Sequence, residues 1–130
     1  MAKTTELVID ASPIVALVAA LGDLHVLQIY QRVWVPFEVC NEIMAGGAAQ
    51  FAVPEFAVAH WLQKIETPVI LSPLLANSLD AGEAAVIQLA LDKHVATVCI
   101  DEHAGRRMAR LHGLTVTGSK REVDPASVPV

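Results

Sequence analysis

The strongest constraint on this chain is a regular alternation of short apolar runs with stretches punctuated as helices. Two of those runs end directly in aspartate. Leu7-Val8-Ile9 is a compact run that reads as a buried strand ending at Asp10. Ser12-Pro13 then reads as a helix N-cap with proline at the first helical position, for a helix from Ile14 to about Leu21 stopped by Gly22. A second helix is expected from Leu24 to about Tyr30. Val33-Trp34-Val35 reads as the second strand, and Pro36 opens a helix carrying Val39, Glu42 and Ile43 that Gly46-Gly47 closes. Pro54 starts a helical stretch to about Ile65, and Val69-Ile70-Leu71 is read as the third strand. Asp80-Ala81-Gly82-Glu83 begins the clearest helix, running to Lys93 with Val86, Leu89 and Ala90 at helical spacing. Ala96 to Ile100 reads as the fourth strand and ends at Asp101. Ala104 to Leu111 is a helix closed by Gly113, and Leu114 to Thr117 is the fifth strand. Apolar strands alternating with helices predict parallel pairing in a layered α/β fold with helices on both faces.

With 130 residues the chain has enough material for one core. Hydrophobic residues make up 54% and charged residues 18%, which argues against disorder. No run approaches the 18–20 or so apolar residues of a membrane span, and Met1 to Glu6 does not resemble a signal peptide, so a cytoplasmic protein is expected. Cys40 and Cys99 lie in apolar segments without metal or redox spacing and read as reduced, buried thiols. A net charge of −5 argues against coating nucleic acid by charge alone. It leaves room for an enzyme that meets phosphates through metal ions and a local basic patch.

The chemistry lies in the carboxylates. In open α/β sheets, ligands bind beyond the carboxyl ends of the strands where strand order reverses. If the first and fourth runs are neighbours, about 4.8 Å apart, Asp10 and Asp101 face each other across a few ångströms. Two such anions repel, so one takes a proton or a cation sits between them. Glu83, in a first helical turn, and Glu42, in the second turn of its helix, are placed near the same rim. An all-oxygen set of this kind suits Mg²⁺ or Mn²⁺, and the usual chemistry of such clusters is phosphodiester hydrolysis. The five histidines show no zinc-like spacing. Each acid has a plainer explanation: Asp80 with Glu83 as a capping pair, Asp101 as a loop or capping acid, Asp10 as a turn residue, Glu42 as a solvated surface glutamate. The joint pattern is what points to a site. A phosphatase using Asp10 as nucleophile fits less well, because the D-x-D-x-[TV] arrangement is broken by Ser12.

These residues resemble the PIN-domain family, and within it the branch with a V-I-D-A-S-P-[IL] segment. The matching stretches are Val8 to Ile14, Val35-Pro36 through Glu42-Ile43, Leu79 to Ala85, Ile100-Asp101-Glu102 with Gly105-Arg106-Arg107-Ala109, and Leu114 to Gly118. The resemblance implies a five-stranded parallel sheet in the order 3-2-1-4-5 and a metal-dependent nuclease. It places Asp10, Glu42, Glu83 and Asp101 as catalytic metal ligands, with Ser12 and Glu102 as auxiliary residues. It further implies a VapC-like toxin that cleaves RNA, a small antitoxin partner and a homodimer. The mean hydropathy of +0.48 also suggests that a second subunit covers apolar surface. Arg106, Arg107 and Arg110 follow Asp101 on one short helix and are the candidate phosphate contacts, unless they form a solvated face. The sparse aromatics read as core or dimer surface. A PIN domain that binds nucleic acid or protein without cutting is the alternative function. The nuclease domain is expected over residues 1–118. Residues 119–130, with two prolines and mixed charge, are expected to form a frayed tail in a chain shortened relative to its branch.

Overall fold

The structure, a computed structural model, describes residues 6–46 and 50–118; the expected C-terminal tail lies outside them. Five strands form one parallel sheet: β1 (Glu6–Ile9), β2 (Arg32–Val35), β3 (Gln63–Lys64), β4 (Thr97–Cys99) and β5 (Thr115–Thr117), in the order β3-β2-β1-β4-β5. The α/β fold and strand order are those expected. Central β1 is buried along Leu7, Val8 and Ile9, as a strand covered on both faces requires. Its register pairs Leu7, Val8 and Ile9 with Thr97, Val98 and Cys99. Strand order reverses between β1 and β4. Right-handed connections running outward from that point in opposite directions place helices on both faces.

The helices are α1 (Ala11–Leu21), α2 (Phe37–Ala45), α3 (Val53–Val58), α4 (Pro73–Ser78), α5 (Ala81–Lys93) and α6 (His103–Leu111). Helix α1 begins two residues earlier than the Ser12-Pro13 signal predicts. Asp10, in extended conformation, is its N-cap, and Ser12 lies inside the first turn. Gly22 ends α1 in the left-handed region, φ 83°, where glycine carries no Cβ penalty. Helix α5 is buried from Gly82 through Ile87 and again at Leu89 and Ala90. It therefore forms the spine of the core and packs against α2, α4, α6, β1 and β4.

Four expectations are corrected. Leu24 to Tyr30 forms a 3-10 helix at His25–Ile29 rather than an α-helix. The stretch from Pro54 is helical only to Val58. Helix α4, capped by the Ser72 hydroxyl, was not foreseen. The third strand is Gln63–Lys64, not Val69-Ile70-Leu71. The edge position explains the last: β3 needs only a two-residue ladder to β2, extended by the bond from Ile65 N to Val35 O. Lys64 Nζ anchors it by donating to Phe56 O at 2.8 Å and lying over the Phe56 ring. The Val69 amide donates instead to the Glu38 carboxylate, 3.0 Å, and Ile70 is 88% exposed. Among the described residues no helix is long and apolar enough to cross a membrane. Neither Cys40, half-buried, nor Cys99, buried, is joined in a disulfide.

Candidate active site at the switch point

The carboxyl ends of β1 and β4 open onto one crevice. Asp10 follows β1 immediately, and its backbone amide donates to Cys99 O at 3.1 Å, continuing the ladder onto the end of β4. Asp101 follows β4 after Ile100, whose amide donates to Thr117 O at 3.1 Å. The sheet register therefore brings the two aspartates to adjacent strand ends. Helix α5 starts at the same rim, so Asp80 at its N-cap and Glu83 in its first turn enter from a third element. Glu42 comes from the second turn of α2, which packs against α5.

Close approach at two glycines fixes the crowding. A Cβ placed on Gly82 would stand 3.1 Å from Glu42 Oε1, 3.4 Å from Asp10 Oδ1 and 3.7 Å from Asp80 Oδ1. Three carboxylates from three elements thus converge on one glycine. On Gly105 of α6, a Cβ would stand 3.0 Å from Ile100 Cγ2 and 3.5 Å from Glu83 Cγ and Cδ, so this glycine makes room for the Glu83 side chain.

Asp10 and Glu83, 6% and 7% exposed, are the buried charged side chains of the described residues. The ion pairs found there, Arg32 with Glu6 and His25 with Asp23, involve neither. Burial pushes the Asp10 carboxyl up to about 7, and Glu42, Asp80 and Asp101 push the same way against a 2.8 Å bond from Ala11 N. Burial likewise raises Glu83 to about 7, reinforced by Asp80, Asp10 and Glu102. Glu42 is exposed, yet residual desolvation and Asp80 raise it too. The surrounding acids thus favour protonation of Asp10 and Glu83, and neither ion pair found among the described residues reaches them. A divalent cation would relieve this charge more completely than protons do.

The donor set is all-oxygen, as hard cations require. Among the described residues, however, no group of three or more acids, histidines or cysteines is arranged to hold an ion without side-chain movement. The Asp10 oxygen nearest Gly82 is also the one bonded to the Ala11 amide.

The auxiliary residues occupy different places. Ser12 is exposed on α1 and faces a groove shared with Glu42. Glu102 is the α6 N-cap residue but makes no capping bond, and its charge bears on Glu83. Arg107 and Arg110 are exposed on α6, as phosphate contacts would be. Arg106 is turned inward, its Nη1 donating to Ile100 O at 2.9 Å. A Cβ on Gly118 would collide with its guanidinium and stand 3.3 Å from Asp101 Oδ1, so Arg106 packs at the end of β4 beside Asp101.

Sequence reasoning passed over Asp80 and Gly82. Asp80 does cap α5, its Oδ1 accepting from Glu83 N at 2.9 Å, but its charge also acts on Asp10, Glu42 and Glu83. The available signal was Gly82 itself: glycine in the first turn of an alanine-rich helix sacrifices about 1 kcal/mol relative to alanine and calls for a reason. Gly82→Ala is accordingly expected to leave stability within about 1 kcal/mol of the parent, since helix propensity offsets displacement of Glu42. Under the metal-assisted phosphodiester hydrolysis expected of such an all-oxygen cluster, it should slow the reaction on the order of tenfold or more, because misplaced reacting groups are costly. Denaturant titration and rate measurements on the same variant separate the two effects.

The fold and site define a doubly wound α/β protein with a crowded acid cluster at its topological switch point. Residues 6–120 match the PIN domain, and the chain belongs to the PIN-domain family. PIN domains are generally nucleases, and PIN nucleases typically use divalent metal ions. Among curated proteins no significant match to the chain is found.

Proposed function

We propose that this protein is a divalent-metal-dependent endoribonuclease that hydrolyses RNA phosphodiester bonds, acting in the cytoplasm as the homodimeric toxin of a toxin–antitoxin pair. The observation that carries the catalytic part is the burial of Asp10 and Glu83 beside further acids from neighbouring elements. The toxin role, the antitoxin and the dimer rest on the resemblance of the V-I-D-A-S-P-I segment and its companion motifs.

Asp10, Glu42, Glu83 and Asp101 would hold Mg²⁺ or Mn²⁺. A bound ion of this kind supplies positive charge at the phosphoryl oxygen and a water of lowered pKa. Asp10 and Glu83 then titrate lower and serve as anionic ligands. Asp80 fixes the start of α5 and so the position of Glu83. Arg107 and Arg110, exposed on α6, would position the phosphate backbone. Arg106 holds the end of β4, and with it Asp101.

A second reading, a PIN domain that binds nucleic acid or protein without cutting, draws support from the absence of a pre-arranged three-ligand group among the described residues. Incubation of the purified protein with end-labelled RNA decides between them. Cleavage is expected with Mn²⁺, to stop with a chelator and to return with excess Mn²⁺. Cleavage that persists in chelator overturns metal dependence, and RNA binding without any cleavage favours the second reading.

A further inference from the structure

We propose that the apolar groove between α1 and α2 holds one unpaired nucleobase of the RNA beside the cleavage centre, with Phe51 as its stacking wall; this deepens the nuclease reading and rests on it. The groove measures about 390 Å³ and is lined by Val15, Ala16 and Ala19 on α1, Ile43 on α2, and Phe51. That volume lies near the lower end of small-ligand pockets, roughly 300–1,000 Å³, and has room for a base with its ribose. Phe51 is 47% exposed and Val15 37% exposed, so neither side chain is spent in the core.

Continuity with the acid cluster selects the occupant. Glu42 and Ser12 line this groove, and Glu42 Oε1 also faces the Gly82 cradle shared with Asp10 and Asp80. Whatever fills the groove therefore lies directly beside the proposed site of hydrolysis. Charge narrows the choice further. Among the described residues the lining holds no cationic side chain to take a phosphate and is mostly apolar, which suits the face of a neutral base. The exposed Ser12 hydroxyl offers a hydrogen-bonding group to a base edge at the mouth. Proteins that read single-stranded RNA splay out bases and stack them on aromatic rings, whereas a base within a duplex is not free to enter. The groove thus favours cleavage beside an unpaired nucleotide.

The test uses Phe51→Ala, Phe51→Trp and the groove-filling Ala16→Leu, each checked for an intact melting transition. Binding of a fluorescein-labelled single-stranded oligoribonucleotide is followed by anisotropy in Mn²⁺ and chelator, alongside KM and kcat for its cleavage. An abasic version of the oligonucleotide, lacking the base next to the cut, is measured in parallel. Loss of one stacking contact is expected to weaken binding and raise KM by roughly 5- to 100-fold in Phe51→Ala and Ala16→Leu. Phe51→Trp is expected to bind as the parent does, kcat to change little, and Mn²⁺ affinity by calorimetry to stay unchanged. The abasic oligonucleotide should bind the parent as weakly as the intact one binds Phe51→Ala. Equal binding of intact RNA by the parent, Phe51→Ala and Ala16→Leu overturns the proposal and leaves the groove to a protein partner. Groove-dependent binding without metal-dependent cleavage sinks the nuclease reading while the base site stands.

Discussion

Asp10→Asn is expected to lower the rate of Mn²⁺-dependent RNA cleavage by a factor on the order of 10²–10³ while the protein stays folded. The size follows from losing one anionic ligand at a site asked for several kcal/mol of transition-state stabilisation. Asparagine keeps the shape of the side chain, and its Oδ1 can still accept from Ala11 N, so the start of α1 is retained. The backbone bond from residue 10 to Cys99 O is also untouched. What disappears is the negative charge at the meeting point of β1, α5 and α2. Glu83→Gln is expected to act in the same direction, since Glu83 is the other buried acid of the cluster. Single-turnover cleavage under saturating Mn²⁺ measures both effects, and an Asp10→Asn rate within threefold of the parent would contradict the assignment of Asp10.

The same substitution is expected to stabilise the metal-free protein near neutral pH. Asp10 rises from 3.8 to about 7 on folding, so between those values the folded chain binds more protons than the unfolded chain. Stability from this group is therefore fully present below about pH 4 and is lost as pH rises toward about 7. By pH 7.5 the cost is about 2–4 kcal/mol, the lower figure allowing for neighbours that protonate in its place. Asp10→Asn removes that cost and is expected to raise the melting temperature in chelator at pH 7.5 by about 5–15 °C. At pH 4 the difference should nearly vanish. Mn²⁺ is expected to raise the melting temperature of the parent at pH 7.5, because a ligand of the native state stabilises it by mass action. The variant should gain little. Thermal melts at the two pH values, with and without Mn²⁺, give all of these comparisons, and a parent more stable at pH 7.5 than Asp10→Asn in chelator would reverse the electrostatic account.

Strand-end acids were legible in the sequence because they depend on register alone. Once β1 and β4 lie side by side in parallel, Asp10 and Asp101 emerge at neighbouring strand ends whatever the packing around them. Glu83 was legible because the D-x-x-E pattern fixes a helix start, which places its first-turn acid at a rim. Other features depend on contacts distant in sequence. The apolar run Val69-Ile70-Leu71 has the composition of a strand, but the Glu38 carboxylate takes the Val69 amide and the run never joins the sheet. Gln63–Lys64 has no such composition, yet it pairs because β2 presents a free edge and Lys64 is tied to Phe56. Asp80 was hidden behind its cap, since one oxygen can hold a helix end while the same charge burdens three neighbouring acids. The inward turn of Arg106 could not be read from its i, i+4 spacing with Arg110, which defines a helix face but not what covers it.

Calorimetric titration of Mn²⁺ into the metal-free protein, its Asp10→Asn variant and its Glu83→Gln variant addresses the acid cluster most directly. Saturable binding by the parent at pH 7.5, weakened at least tenfold in both variants, is the result this account requires. Equal Mn²⁺ affinity in all three proteins, or no saturable binding by the parent, would contradict it.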